Sequence, residues 1–138
     1  MIYIIYSNSA EDGIIIHYMD TDFTKAKANF ITLAIDWTRM DGDDNGLNFI
    51  ALEVNRRSIF NLLSNVYNNP EKYTQDISTQ DSLTKLFETP NKVFVENFMS
   101  EDILSWLDTE KGIEGFDALD LPDTEWDAFV KEYLDNII

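Results

Sequence analysis

Residues 2–19, IYIIYSNSAEDGIIIHYM, decide what kind of molecule this is. Ile2–Tyr6 is a continuous apolar and β-prone run, which reads as a buried strand. Ser7–Gly13 is rich in Ser, Asn, Asp and Gly and reads as a loop. Gly13–Met19 (GIIIHYM) reads as a second strand. The two form an antiparallel hairpin, through a loop too long for a tight two-residue turn.

Working outward, Thr21 or Asp22 caps a long helix that runs to about Met40. Phe23, Ala26, Phe30, Leu33, Trp37 and Met40 recur every three or four residues, and Ile31 and Ile35 widen the stripe. Asp41–Gly46 (DGDDNG) ends it, and Asn48–Val54 (NFIALEV) is a third strand. Asn55 or Ser58 caps the next helix, with Ile59, Phe60, Leu62, Leu63, Val66 and Tyr67 inward. Asn68, Asn69 and Pro70 stop it, and Pro70 opens a short helical turn. Ser78 with Asp81 resembles a capping box for a helix carrying Leu83, Leu86 and Phe87. Lys92–Glu96 (KVFVE) reads as a short strand. Ser100 caps a helix with Glu101 and Asp102 in its first turn, where a helix favours negative charge. Gly112 and Gly115 bracket an irregular connection. Pro122 with Asp123 or Thr124 opens a last helix with one apolar face: Trp126, Phe129, Val130, Tyr133, Leu134, Ile137 and Ile138.

The expected fold is therefore α+β in a single domain spanning 1–138. A small antiparallel sheet, the N-terminal hairpin plus the strand near 48–54, packs with about five helices, and the C-terminal half is helical. With 44% apolar and 13% aromatic residues, the chain can build a core. It has no cysteine, hence no disulfide framework, no thiolate metal site and no cysteine nucleophile. A reducing, cytoplasmic setting is expected. The apolar start lacks the basic flank of a signal peptide, and no apolar run reaches the roughly 20 residues of a membrane span.

Charge is the chain's most unusual property. The net is −16 with a pI near 4.1. Residues 96–138 hold 13 of the 26 acids against only Lys111 and Lys131, so this third alone carries −11. Apolar residues thread through those acids, so the segment folds and holds its charge outward. Such acidity argues strongly against direct binding to nucleic acid or to an anionic membrane, because both present negative charge. It suits a basic partner or a cation.

Asp41, Asp43, Asn45 and Gly46 match the first half of the pattern D-x-[DN]-x-[DN]-G, and the loop resembles an EF-hand Ca²⁺ loop over six residues. The resemblance implies Ca²⁺ on Asp41, Asp43 and Asn45. However, the twelfth position is Leu52 rather than Glu, and a strand follows where a second helix belongs. A solvated helix-to-strand turn uses the same residues. His17, the single histidine, reads as a packed strand residue, and no serine-hydrolase, phosphate-loop or dinucleotide motif is present. Arg56 and Arg57, the only adjacent bases, read as a solvated or salt-bridged first turn, or as an anion site.

The sequence therefore favours a non-catalytic protein with no cofactor, acting through its acidic surface. The expected partner-binding residues are Glu101, Asp102, Trp106, Asp108, Glu110, Glu114, Asp117, Asp120, Asp123, Glu125 and Asp127. Carboxylates one helical turn apart are about 5–6 Å apart, the order of phosphate spacing along a strand. A basic nucleic-acid-binding enzyme would attract such a surface over long range. The protein would inhibit it either by surface charge mimicry or by steric blocking through a few apolar anchors, with charge only steering the encounter. Two biological roles share this physics: a phage inhibitor of a bacterial defence nuclease (anti-restriction or anti-CRISPR type), and an immunity protein for a nuclease toxin. The competing readings are the Ca²⁺ module, a structural or assembly protein whose acidity serves solubility, and an enzyme without a recognisable motif.

Overall fold

The N-terminal hairpin forms, and it is longer than the apolar runs alone indicate. In the computed structural model, which describes residues 1–38, 46–88 and 92–138 (of 92–95 the backbone only), β1 is Ile2–Ser9 and β2 is Gly13–Asp20. Ser7, Asn8 and Ser9 pair with Ile15, Ile14 and Gly13, so the loop shrinks to residues 10–12. A ladder hydrogen bond is made by backbone, and the polar side chains of β1's end do not prevent it. Gly13 has φ 67°, the left-handed conformation that lets the chain reverse there.

β1 pairs on its other side with β3 (Leu47–Leu52), and β3 pairs with β4 (Lys92–Phe98), every pairing antiparallel. The sheet order is β2-β1-β3-β4. β2 and β3 thus run parallel on either side of β1, so the chain must cross between them, and α1 (Phe23–Trp37) makes the crossing. Asp22 is its cap: Oδ1 accepts from the Thr24 and Lys25 amides at 2.9 and 3.2 Å. The expected extension to Met40 lies outside the described residues.

Both edge strands carry a bulge. Ile5 pairs with Tyr18 and Tyr6 with Ile16, which leaves His17 as the extra residue of β2. Phe49 pairs with Glu96 and Ile50 with Phe94, which leaves Val95 as the extra residue of β4. Bulges twist an edge away from further strand pairing.

Helices cover both faces of the sheet, which explains why its strands read as continuous apolar runs. On one face Ile2, Ile4, Ile14, Ile16, Ile50 and Leu52 meet Leu63 and Val66 of α2 (Arg57–Asn68) and Leu83 and Phe87 of α4 (Ile77–Phe87). The short α3 (Pro70–Tyr73) links the two. On the other face Ile5, Leu47, Phe49 and Phe98 meet α1 and the C-terminal helices α5 (Ser100–Trp106), α6 (Gly115–Leu119) and α7 (Asp123–Ile137). Full burial of Phe30, Phe49 and Phe98 contributes about 1.5–3 kcal/mol each.

Three expected helix starts shift. α2 begins at Arg57 with Arg56 in the cap position and no side-chain cap bond, so neither Asn55 nor Ser58 caps it. α4 is capped by Asp76, not Ser78: its two carboxylate oxygens accept from the Ser78 amide and the Thr79 hydroxyl, both at 3.1 Å. α5 has Met99 rather than Ser100 at its cap, and Asp102 reaches back to accept from the Met99 amide at 3.1 Å. In each of the last two, a carboxylate takes up an amide that the helix leaves unpaired.

Candidate functional site

From Ser100 onward the acidic third of the chain is a succession of helical segments, three short ones followed by the fifteen-residue α7. Ile103 and Leu107 are buried and pin α5 to the core, which turns Glu101 and Asp108 outward. The helix then widens into a π-helical turn, Leu107–Lys111, that the sequence pattern does not reveal. Gly112, at φ 66°, ends it, and the Gly112 and Ile113 amides both donate to the Leu107 carbonyl. Half-buried Ile113, buried Ala118 and half-buried Leu121 then tie the next segment down. Between those ties lies α6, where an irregular connection was expected; its Ala118 amide donates to the Glu114 carbonyl at 2.9 Å. Asp123 and Glu125 occupy the first turn of α7, where the helix dipole favours them.

Eight of the eleven expected partner-binding residues are exposed: Glu101, Asp108, Glu110, Glu114, Asp117, Asp120, Asp123 and Glu125. The ion pairs among the described residues lie elsewhere, joining Lys27 and Lys131 to Asp135 and Lys111 to Glu132. The remaining three are placed differently. Asp102 is half-buried as the α5 capping group. Asp127 is half-buried and already engaged in an interaction. Trp106 packs α5 onto α7, with its ring 6.4 Å from Phe129 and 5.6 Å from Tyr133, and the Lys111 ammonium sits 5.5 Å from its centre. The most exposed large apolar groups of this region are instead Phe116, 89% exposed, and Leu119, 71% exposed. Sequence periodicity missed them because a five-residue helix is too short to show a stripe.

Beneath the surface, Glu96 faces Asp102 and Tyr133. Burial, then the Asp102 carboxylate, pushes the Glu96 carboxyl above its usual range against an opposing bond from the Asn97 amide. Burial, then Asp102 and Glu96, pushes the Tyr133 hydroxyl up. This is an acid cluster directed inward, distinct from the exposed eight.

The other sequence candidates fall apart from this surface. Asp41, Asp43 and Asn45 lie outside the described residues. Among the described residues no group of three or more His, Asp or Glu converges as a metal site, and no helix is long and apolar enough to cross a membrane. His17 Nε2 and Ser7 Oγ share a hydrogen bond at 2.7 Å, and the imidazole meets Trp37 edge-on at 5.7 Å. Arg56 and Arg57 line a cleft of about 420 Å³ with Met1, Val54 and Phe60. A smaller cavity of about 150 Å³ separates α6 from the start of α7. At it, Trp126 Nε1 donates to Thr38 Oγ1 at 2.7 Å.

The fold and this surface define an acidic α+β domain with helices on both sides of an antiparallel sheet. Comparison with known protein families, with characterised proteins and with solved structures finds no match to this chain.

Proposed function

We propose that the protein is a non-catalytic inhibitor that binds a basic, nucleic-acid-handling protein through the exposed carboxylates of α5 to α7. The observation that carries this reading is their placement. Eight exposed acids follow one another along a short, folded segment, and none takes part in the ion pairs of the described residues. Fixed charges of one sign raise the encounter rate with an oppositely charged groove and discriminate against acidic partners. A surface that lays carboxylates where phosphates would sit blocks nucleic acid by occupancy, and by competition for the same cations. Phage anti-defence proteins and toxin-immunity proteins are the two settings in which that blocking has a use.

The test is competition. Purified basic nucleases, from bacterial defence systems and from nuclease toxins, are bound to labelled duplex DNA and titrated with this protein over a salt series. The expected result is displacement of DNA from at least one of them, weakening with salt. Neutralising Asp117→Asn, Asp120→Asn, Asp123→Asn and Glu125→Gln together should raise the required concentration by more than roughly tenfold. Competition unchanged by the four substitutions overturns the acidic-surface mechanism.

A further inference from the structure

Phe116 and Leu119 stand three residues apart on α6, so their side chains are neighbours on one side of that helix. The buried residue of the same helix is Ala118, which faces the core. Ile113 and Leu121 hold the chain on either side of it. Three apolar ties thus fix α6 in place and present its two large apolar residues to solvent. Glu114, Asp117, Asp120 and Asp123 surround them in sequence and are all exposed. An aromatic and an aliphatic group flanked in sequence by exposed charge have the composition of an interface centre with a polar rim.

We propose that Phe116 and Leu119 are the apolar anchors of the acidic surface, and that the surface is built for a basic protein groove with an apolar pocket between its cations. The proposal rests on the reading of the surface as a site for a basic protein, and it adds what that reading leaves open. The contact is anchored, with charge steering the encounter, and is not a row of carboxylates alone. Charge complementarity selects this occupant over the others. A second copy of the chain would bring the same acids against each other around the pair, and like charges face to face oppose association. A membrane would offer the apolar pair a home, but anionic headgroups repel the rim.

Two synthetic peptides of equal length and charge test it by fluorescence anisotropy: one an amphipathic Lys/Leu helix, the other a Lys/Ser chain with no apolar face. The wild-type protein should bind the amphipathic peptide at least roughly tenfold more tightly. The double variant F116S/L119S should lose that preference while holding the Lys/Ser peptide as before. Both positions are exposed, so the variant keeps its fold, which circular dichroism checks. Equal binding of the two peptides by the wild type, or a preference that survives in F116S/L119S, overturns the anchors while the acidic surface stands. Binding of neither peptide at low salt overturns the surface itself. A concentration-dependent dimer in sedimentation that F116S/L119S abolishes assigns the pair to a second copy and also overturns the proposal.

Discussion

One face of the sheet is covered by α2, α3 and α4, the other by α1 and the C-terminal helices. Each layer seals its side with a handful of fully buried residues: Leu63, Val66 and Leu83 on one, Phe30, Ile103, Val130 and Leu134 on the other. Their solvent surfaces differ sharply. Residues 53–88, which contain the first layer, carry five acids and four bases, whereas residues 96–138 carry thirteen acids and two bases. Covering a sheet therefore does not require such charge, since a nearly neutral layer does the same job earlier in the chain. The acidity belongs to the surface of the C-terminal layer and not to the packing beneath it. That separation lets the charge be changed without changing the fold.

The comparison breaks if the two layers are not equal in burial. Leu63→Ala and Leu134→Ala each remove a fully buried side chain, and each should destabilise by about 2–5 kcal/mol in urea unfolding. If either costs less than about 1 kcal/mol, that layer is peripheral and its surface cannot be judged against the other. A second substitution sharpens the contrast. Gln80 of α4 clamps the edge strand: its Oε1 accepts from the Ile14 amide at 2.7 Å, and its Nε2 donates to the Ile14 and Tyr73 carbonyls at 3.2 and 3.0 Å. Gln80→Ala leaves those backbone groups without their partner, and should cost about 1–3 kcal/mol and speed amide exchange at Ile14. Removing four exposed acids from the opposite layer should do much less. The variant Asp117→Asn, Asp120→Asn, Asp123→Asn, Glu125→Gln should hold stability within about 0.5 kcal/mol per site. A larger loss would mean that the acids support the helices and are not a free surface.

What the sequence made legible follows from period and length. α1 and α7, fifteen residues each, are long enough for a 3.6-residue stripe to show, and β1 to β3 are dense enough in Ile and Phe to read as strands. Asp22 was readable as a cap because it stands directly before that stripe. The α4 cap was harder, since Asp76 and Ser78 are both good capping residues and only the preceding α3 turn favours the earlier one. The π-helical turn and α6 had no signature, because each is five residues and is set by where Leu107, Ala118 and Leu121 meet the core. The acidic surface was legible as composition. Its exposed apolar pair was not, because Phe116 and Trp106 look alike in sequence, and only packing decides which of them faces water.

Glu96 gives the smallest expected effect and tests whether charge and packing are separable on the acidic side too. It lies on β4 under the C-terminal layer, half-buried, with its carboxyl held above the ordinary value by burial and then by Asp102. A raised folded-state value means the folded protein holds this proton more tightly than the unfolded chain does. Below the unfolded value of about 4.5 both states are protonated and the site is neutral to folding. As pH rises through the folded value, the ionised group becomes a penalty that persists at neutrality. Glu96→Gln keeps the shape and an oxygen to accept from the Asn97 amide, and removes only the charge. The variant should be more stable than the wild type at pH 7, with the difference fading as pH falls below the ordinary carboxylate range. Asp20 and Asp135, whose values are lowered first by bonds to Tyr18 and Lys131, push the wild-type profile the other way. The difference between variant and wild type cancels both and isolates Glu96. If Glu96→Gln is instead the less stable protein at pH 7, the charge of the half-buried carboxylate supports the fold. The acids of this layer then divide into an inner set that holds the fold and the exposed set offered to a partner.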